Sequence, residues 1–179
     1  HDYELAAGFC FNEGLLAGAP VHGVRYCADG SAVESNFNVV TVETGGRAPV
    51  PTPRLGTTTS SCGVCGTESI DVLVERLSPL PTERLAAISN DLVLTIAGLV
   101  RPGQTLFDQT GAVHVAAAFD AEGNVLVVRE DVGRHNAVDK VVGRLLLDHA
   151  LPAHGLGLFV SSRASFEMVQ KAWAAGFGT

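Results

Sequence analysis

The stretch VLVVREDVGRHNAVDKVVGRLLLDHALPAHGLGLFVSSRASFEMVQKAWAA, residues Val125–Ala175, decides the fold of this 179-residue chain. Its hydrophobic pattern predicts two strands that are each followed by a helix. The strands and their helices are Val125–Arg129 with Asn136–His149, and Leu156–Ser161 with Ser165–Ala175. Such a βαβα run favours a parallel pair of strands in a covered sheet. We therefore predict an α/β core.

Smaller elements are predicted on the N-terminal side of this core. They are a helix over Asp2–Glu13, a hairpin of Val24–Cys27 and Phe37–Val42 around Asp29-Gly30, a flexible linker over Thr44–Ser61, helices over Thr67–Leu77 and Thr82–Val100, and a strand over Val113–Phe119. These elements predict an N-terminal α+β portion over residues 1–61 that ends in a flexible loop, and an α/β core over residues 62–179. One continuous domain is the alternative.

Two strand-to-helix junctions of the core are unusually polar. Ligands of open α/β sheets bind beyond the carboxyl ends of the strands, so both junctions are candidate sites. The second junction, SSRAS at Ser161–Ser165, combines hydroxyl groups at a helix start with Arg163, and this combination suits a phosphate group. The alternative is structural, with Ser165 as a helix N-cap and Arg163 in solvent.

The first junction is EDVGRHNAVDK, residues Glu130–Lys140. The helix that follows has a clear apolar face, and Asp139 and Lys140 are predicted to lie away from it. A local network of capping bonds and ion pairs is the structural alternative to a binding site here. The members of that network would be Asp131, Arg134, His135 and Asp139.

A cysteine pair, Cys62 and Cys65, lies in the polar, glycine-flanked segment TTTSSCGVCG. A helix predicted just downstream would place both thiols near its positive end, which favours the reactive thiolate. A reactive pair, a metal site and an inert pair are the three interpretations. Zinc normally takes four ligands, and no second closely spaced pair exists, because Cys10 and Cys27 lie in apolar runs typical of buried cysteine.

Two further chemistries known for this spacing fit less well. A thioredoxin-like pair follows a strand directly, whereas here a long linker precedes the pair. A zinc deaminase needs a His-x-Glu motif, and none of the six histidines has Glu two residues later. A free, reactive pair is therefore favoured, and no metal of the protein's own is expected.

Composition narrows the class of protein. The chain is 46% hydrophobic and carries a net charge of −7, so it can bury a substantial core and lacks the broad basic surface of nucleic-acid-binding proteins. No segment has the length of a membrane span or the pattern of a secretory signal. We expect a cytoplasmic protein, and the first residue, His1, suggests a fragment of a longer chain.

Several motifs, in order along the chain, carry a family resemblance. They are ELAAGF at Glu4–Phe9, EGL at Glu13–Leu15, SSCGVCG at Ser60–Gly66, FDQTG followed by His114, VREDVGRHNAVDKVVG at Val128–Gly143, and SSRASFEMVQKA at Ser161–Ala172. Together they resemble the FdhD family of formate dehydrogenase accessory sulfurtransferases. The family usually continues past Gly176 with another strand and helix, and often has a second glycine where this chain has Ala112.

The resemblance implies a fold and a chemistry. The core would be similar to that of cytidine deaminases, in a homodimer. Cys62 would accept persulfide sulfur from a cysteine desulfurase, Cys65 would assist relay or release, and the sulfur would pass to the molybdenum bis-guanine-dinucleotide cofactor of formate dehydrogenase. Candidate cofactor-binding residues are Arg134, His135, Ser161, Ser162, Arg163 and Ser165. A cofactor chaperone without sulfur transfer and a zinc-binding domain are the alternatives.

Overall fold

The computed structural model describes residues 1–27, 30–51, 77–85 and 87–178. Over these residues the chain is a mixed α/β fold. Its helices are α1 (Asp2–Asn12), α2 (Asn90–Val100), α3 (Thr105–Thr110), α4 (Arg134–Leu147) and α5 (Phe166–Ala175), with short 3-10 turns at Thr82–Arg84 and Arg101–Gly103. Its strands are β1 (Gly23–Tyr26), β2 (Val40–Glu43), β3 (His114–Phe119), β4 (Val125–Asp131) and β5 (Gly157–Val160).

The core sheet has the strand order β4-β3-β5, and both of its ladders are antiparallel. The expectation of a neighbouring parallel pair is therefore wrong: β4 and β5 do run in the same direction, but β3 lies between them. The reason is the tight turn after β3, where the Asp120 carboxylate accepts hydrogen bonds from the backbone N–H groups of Glu122 and Asn124. This turn pairs β4 with one edge of β3, so β5 takes the other edge.

Helices cover both faces of the sheet. The central strand β3 alternates between them: Ala116 and Ala118 belong to the core beneath α4, while Val115, Ala117 and Phe119 belong to the core beneath α2. All five side chains are buried. A strand that is buried on both faces has a continuous apolar sequence, as VAAAF of β3 shows.

Helix α1 packs directly on α4 at two glycines. A Cβ atom on Gly8 would lie 1.8 Å from the backbone oxygen of Asp139, and one on Gly143 would lie 1.8 Å from the backbone oxygen of Glu4. Only glycine allows the two helix backbones to approach this closely. The Glu4 carboxylate then accepts two hydrogen bonds from the Arg129 guanidinium, at 2.5 and 2.7 Å, which ties α1 to β4.

The predicted N-terminal hairpin is present, since β1 and β2 pair antiparallel from Gly23 opposite Glu43 to Tyr26 opposite Val40. Its second strand begins later than the predicted Phe37. Phe37 has a φ of +56° and therefore cannot continue a β-strand. The predicted turn was Asp29-Gly30. Gly30 has a φ of +110°, and Asp29 lies outside the described residues.

The predicted helix over Thr82–Val100 is shorter than expected. It begins at Asn90, because the Ser89 hydroxyl accepts a hydrogen bond from the Leu92 N–H and caps the helix there. Leu85, after the first 3-10 turn, is extended. The predicted helix over Thr67–Leu77, most of the linker and the proposed boundary at residue 61 lie outside the described residues.

Candidate functional site

The junction between β4 and α4 is closed by its own hydrogen bonds. The Asp131 Oδ1 atom accepts from the Gly133 N–H at 2.8 Å and from Asn136 Nδ2 at 3.1 Å. Lys140 Nζ lies 2.6 Å from Asp131 Oδ2 and donates to the Glu130 backbone oxygen at 3.0 Å. The polar groups at this junction therefore hold the turn and the first helical turns in one geometry.

The charge on Asp131 is favoured by these contacts. Burial raises the pKa of this carboxyl, but the Lys140 ammonium and the donors at Gly133 and Asn136 outweigh burial and hold the pKa below its ordinary value. The group is therefore ionised at neutral pH, as its ion pair with Lys140 requires.

Glu130 links the first junction to α3, a helix that the sequence pattern did not predict. Its two carboxylate oxygens accept from the backbone N–H groups of Leu106 and Phe107, at 2.7 and 2.8 Å. These N–H groups belong to the first turn of α3, where intrahelical partners are absent. The motif FDQTG, which is part of the family resemblance, covers most of this helix. The segment is too short, and its apolar residues too few, for the sequence to indicate a helix.

The junction between β5 and α5 is more open. The Ser161 hydroxyl accepts from the Val115 N–H at 3.0 Å and so continues the sheet. The next hydroxyls differ: among the described residues, neither Ser162 Oγ nor Ser165 Oγ has a hydrogen-bond partner, although both atoms are buried. Arg163 between them is exposed. Ser165 is the N-cap residue of α5, yet its side chain makes no capping bond.

The two junctions meet through a side-chain pair. His135 Nε2, from the first turn of α4, forms a close hydrogen bond with the Glu167 carboxylate, from the first turn of α5. Both side chains are mostly buried, with 25% and 15% of their surfaces exposed. The structure therefore brings His135 beside the SSRAS segment, and Arg134 begins α4 at the same place.

This arrangement has the chemistry of an anion site. The N–H groups at the start of α5 and its dipole favour negative charge, and the two hydroxyl groups and the Arg163 guanidinium can donate hydrogen bonds to it. The Glu167 carboxylate opposes an anion, but it is paired with His135. An arginine beside a helix start is the donor set that a phosphate group prefers.

A buried ion pair connects the three helices behind this site. Asp139 accepts from Lys171 Nζ at 2.7 Å and from Asn12 Nδ2 at 2.6 Å, and Lys171 Nζ also lies 3.5 Å from Glu13 Oε1. The side chain of Asp139 is 2% exposed. The prediction that Asp139 lies away from the buried face is therefore wrong, because α1 and α5 cover the side of α4 that carries it.

Cys10 differs from what a sulfur-transfer residue needs. Burial and the nearby charge of Asp139 raise the pKa of Cys10, so its thiol stays protonated at neutral pH. Cys10 and Cys27 form no disulfide and are partly buried. Cys62 and Cys65 lie outside the described residues.

Two features are absent from the described residues. They contain no group of three or more His, Cys, Asp and Glu side chains that could hold a metal ion. None of their helices combines the length and the apolar character needed to cross a bilayer.

The solved structure of a putative formate dehydrogenase accessory protein from Desulfotalea psychrophila has the same fold. Its TM-score with this chain is 0.68 at 24% sequence identity, and the match covers 97% of this chain and 61% of that protein.

Curated relatives share more of the sequence. Proteins named sulfur carrier protein FdhD are 46% identical in Mycolicibacterium paratuberculosis and 43% identical in Streptomyces coelicolor, each over 98% of this chain. The chain spans 66% and 64% of the length of these two relatives. The profile of the FdhD/NarQ family matches residues 1–179. This chain therefore belongs to the FdhD/NarQ family.

Proposed function

We propose that this chain carries sulfur for formate dehydrogenase. In this proposal Cys62 accepts persulfide sulfur from a cysteine desulfurase, and the sulfur passes to the molybdenum bis-guanine-dinucleotide cofactor before that cofactor enters the enzyme. The observation that carries the proposal is the match to the FdhD/NarQ family over residues 1–179, in a chain that contains SSCGVCG and whose relatives are named sulfur carriers.

The proposed transfer balances as a thiol exchange. The Cys62 thiolate attacks the outer sulfur of the desulfurase persulfide, a new S–S bond forms on Cys62, and the electron pair of the broken bond leaves on the desulfurase thiolate. Attack by the Cys65 thiolate on Cys62 would then release hydrosulfide and leave a Cys62–Cys65 disulfide. A thiol reductant would be needed to restore the pair. The released hydrosulfide would then be the species available to the molybdenum cofactor.

The contrast with Cys10 supports the choice of Cys62. The thiolate is the nucleophile in persulfide exchange, and the raised pKa of Cys10 leaves little thiolate at neutral pH. Cys10 also has a fixed position in the fold, since it lies in α1 near the buried Asp139. A carrier must instead reach a donor and an acceptor in turn, so a cysteine in a glycine-flanked polar segment suits the task better.

The anion site at the start of α5 supports the cofactor half of the proposal. The guanine dinucleotides of the cofactor contain diphosphate groups, and the buried hydroxyls of Ser162 and Ser165 lack other partners among the described residues. Arg163 and Arg134 would add charge, Ser161 would shape the loop, and His135 would act through its contact with Glu167.

The sulfur-transfer test uses the full-length protein, a cysteine desulfurase and labelled cysteine, with peptide mass spectrometry in the absence of reductant. We expect added sulfur on the Cys62 peptide, and its loss in Cys62→Ala. Cys10→Ala is the matched control and should load normally. Unmodified thiols beside an active desulfurase would favour a cofactor chaperone without sulfur transfer, and stoichiometric zinc in the purified protein would favour a zinc-binding domain.

The cofactor contact is tested separately by guanosine diphosphate binding. Arg163→Ala should weaken binding, because it removes a cationic donor from the anion site. Arg47→Ala, another exposed arginine in the loop after β2, is the matched control. Equal affinities in both variants and the wild type would remove Arg163 from the site.

The proposal also names a setting. The protein would act in the cytoplasm as a homodimer, with the desulfurase and the catalytic subunit of formate dehydrogenase as partners, and its core would be similar to cytidine deaminases. Size-exclusion chromatography with light scattering of the full-length protein tests the homodimer directly. A monomer at working concentration would contradict the homodimer.

A further inference from the structure

After the cysteine pair, the described residues resume at Leu77, and the chain there contacts α5. Residues 77–81 form a connecting segment between the cysteine pair and the rest of the fold. Ser78 lies in this segment, 13 residues after Cys65. The way in which the segment is attached therefore decides where the chain that bears the two cysteines is held.

The connecting segment is not held by a backbone ladder. Pro79 and Pro81 have no N–H group to donate, and among the described residues no backbone–backbone hydrogen bond joins residues 77–81 to another element. The same prolines make the segment stiff, since each fixes its own φ and favours an extended conformation in the residue before it. The position of the segment therefore depends on contacts with side chains.

One of these contacts comes from Trp173 in α5, the single tryptophan of the chain. Its indole Nε1 atom donates a 2.8 Å hydrogen bond to the backbone oxygen of Ser78. The Trp173 side chain is 38% exposed, so core packing alone does not explain a residue of this size at this position. Its N–H group is used to hold the connecting segment.

A second contact lies in an apolar groove of about 360 Å³ between α5 and β5. Leu80 of the connecting segment lines this groove together with Met168 and Trp173. Leu85 extends the attachment, since a Cβ atom on Gly178 would lie 3.0 Å from its Cδ2 atom. All three contacts are made to α5 or to the residues that follow it.

Helix α5 is a rigid base for this attachment. Lys171, on the same helix, forms a buried ion pair with Asp139 of α4. A chain held on such a helix has a limited reach, because 13 residues span at most about 45 Å whatever their conformation. The attachment of Ser78 therefore restricts where Cys65, and Cys62 before it, can lie relative to α5.

We infer that Trp173 is a positioning residue for sulfur transfer. Its indole N–H fixes Ser78 on α5, and this limits the positions from which the cysteine pair meets a protein sulfur donor. A carrier whose reactive segment is already restricted binds a donor more tightly, since less ordering is left for the encounter. The inference rests on the proposed function, because it concerns the same two cysteines.

The test measures initial rates of sulfur loading onto Cys62 of the full-length protein, at increasing concentrations of that protein, with a cysteine desulfurase as donor. Trp173→Phe keeps an aromatic ring and removes the N–H donor. We expect its KM to rise roughly fivefold with kcat unchanged, the factor that the net free energy of one hydrogen bond allows. Leu80→Ala should act in the same direction, because it removes the side chain that lines the groove.

Phe107→Leu is the matched control. Phe107 is exposed to the same degree as Trp173, at 39%, but it does not line the groove. Its KM and kcat should equal those of the wild type.

A donor of low molecular weight separates positioning from reactivity. Glutathione persulfide gives its outer sulfur to the Cys62 thiolate and leaves as the glutathione thiolate, which is the same exchange without a protein surface. Trp173→Phe should therefore load from it at the wild-type rate. Equal slowing with both donors would overturn the inference, since the change would then lie in the reactivity of the cysteines or in the fold.

An unchanged KM in Trp173→Phe and Leu80→Ala would also overturn the inference. Melting temperatures are measured on each variant, and whichever of the two stays folded decides. A wild type that accepts no sulfur would contradict the proposed function and the inference together. Normal loading with the same KM in the wild type and both variants would overturn the inference alone and leave the sulfur-transfer proposal standing.

Discussion

The two strand-to-helix junctions of the core look alike in sequence and differ in how their polar groups are used. At β4–α4, Asp131 and Lys140 are bonded to their neighbours and to the backbone. At β5–α5, Ser162 and Ser165 keep buried hydroxyls without partners among the described residues. A buried hydroxyl without a partner costs on the order of 1–3 kcal/mol. The first junction therefore supports the fold, and the second has bonding capacity left for a ligand.

The difference follows from what packs against each helix. Helix α4 lies between the sheet and α1, and its backbone touches α1 at Gly143. Helix α5 contributes Met168, Lys171 and Ala175 to the interior but keeps Val169 and Trp173 exposed. A helix enclosed on several sides needs all its polar groups satisfied within the fold, whereas a partly exposed helix start can leave them for a ligand.

The largest expected effect comes from Gly143→Ala, which disrupts the close contact between α4 and α1. The new Cβ would lie 1.8 Å from the Glu4 backbone oxygen, so α1 and α4 must separate. We expect the free energy of unfolding to fall by about 3 kcal/mol or more. Urea unfolding measures it. Gly98→Ala in α2 is the control, because its Cβ meets nothing within 4 Å, and it should stabilise the protein by roughly 0.5–1 kcal/mol.

A smaller loss is expected when the link between the two helices is cut. Lys171→Met removes the cation beside Asp139, whose side chain is 2% exposed, and an unpaired buried carboxylate costs about 3 kcal/mol. Arg25→Met is the control, since Arg25 pairs with Glu43 at the surface and should change stability by less than about 1 kcal/mol. Similar unfolding midpoints for both variants would show that the buried pair does not hold α4 to α5.

The third change tests the charge at the closed junction. Asp131→Asn keeps an acceptor for Gly133 but loses the ion pair with Lys140, so we expect a loss of about 1 kcal/mol at pH 7. The pKa of Asp131 is lowered in the folded protein, so its contribution is fully present above the unfolded value of about 3.9 and is lost as pH falls through the folded value. The stability difference between the two proteins should therefore shrink as the pH falls below about 3.9. A difference that is constant from pH 7 to pH 3 would contradict this account.

Much of this comparison was accessible from the sequence, because it depends on local pattern. The helices and strands from Val113 to Ala175 follow from apolar periodicity, and both polar junctions follow from their composition. The burial of Asp139 did not follow, because its partners Asn12 and Lys171 are 127 and 32 residues away in sequence. Long-range pairing also decided the strand order, since periodicity does not say which edge of β3 the last strand joins.

The groups of the candidate site were likewise only partly accessible from the sequence. Residue types at the SSRAS junction indicated an anion site, but the bond between His135 and Glu167 joins two helices and could not be read from either segment. The alternating apolar residues predicted a strand from Phe37, but the backbone of Phe37 is left-handed. Local patterns therefore identified elements and candidate groups, and tertiary contacts decided how those groups combine.

The smallest expected effect on stability is the sharpest test of the open junction. Ser165 and Ser89 are both N-cap residues, but only the Ser89 hydroxyl accepts a backbone hydrogen bond, from Leu92 at 3.1 Å. Ser89→Ala should therefore cost about 1 kcal/mol, the usual value of a capping bond, whereas Ser165→Ala should cost nothing or stabilise the protein slightly. Urea unfolding of the two variants side by side measures the difference.

The same Ser165→Ala protein separates a ligand-binding hydroxyl from a merely unused one. If the hydroxyl is kept for a phosphate group, guanosine diphosphate affinity falls while stability does not, and Ser89→Ala shows the opposite pattern. A Ser165→Ala variant that loses about 1 kcal/mol of stability and binds the nucleotide normally would mean that Ser165 caps α5 in solution. The two junctions would then be alike, since both would use their polar groups to hold the fold.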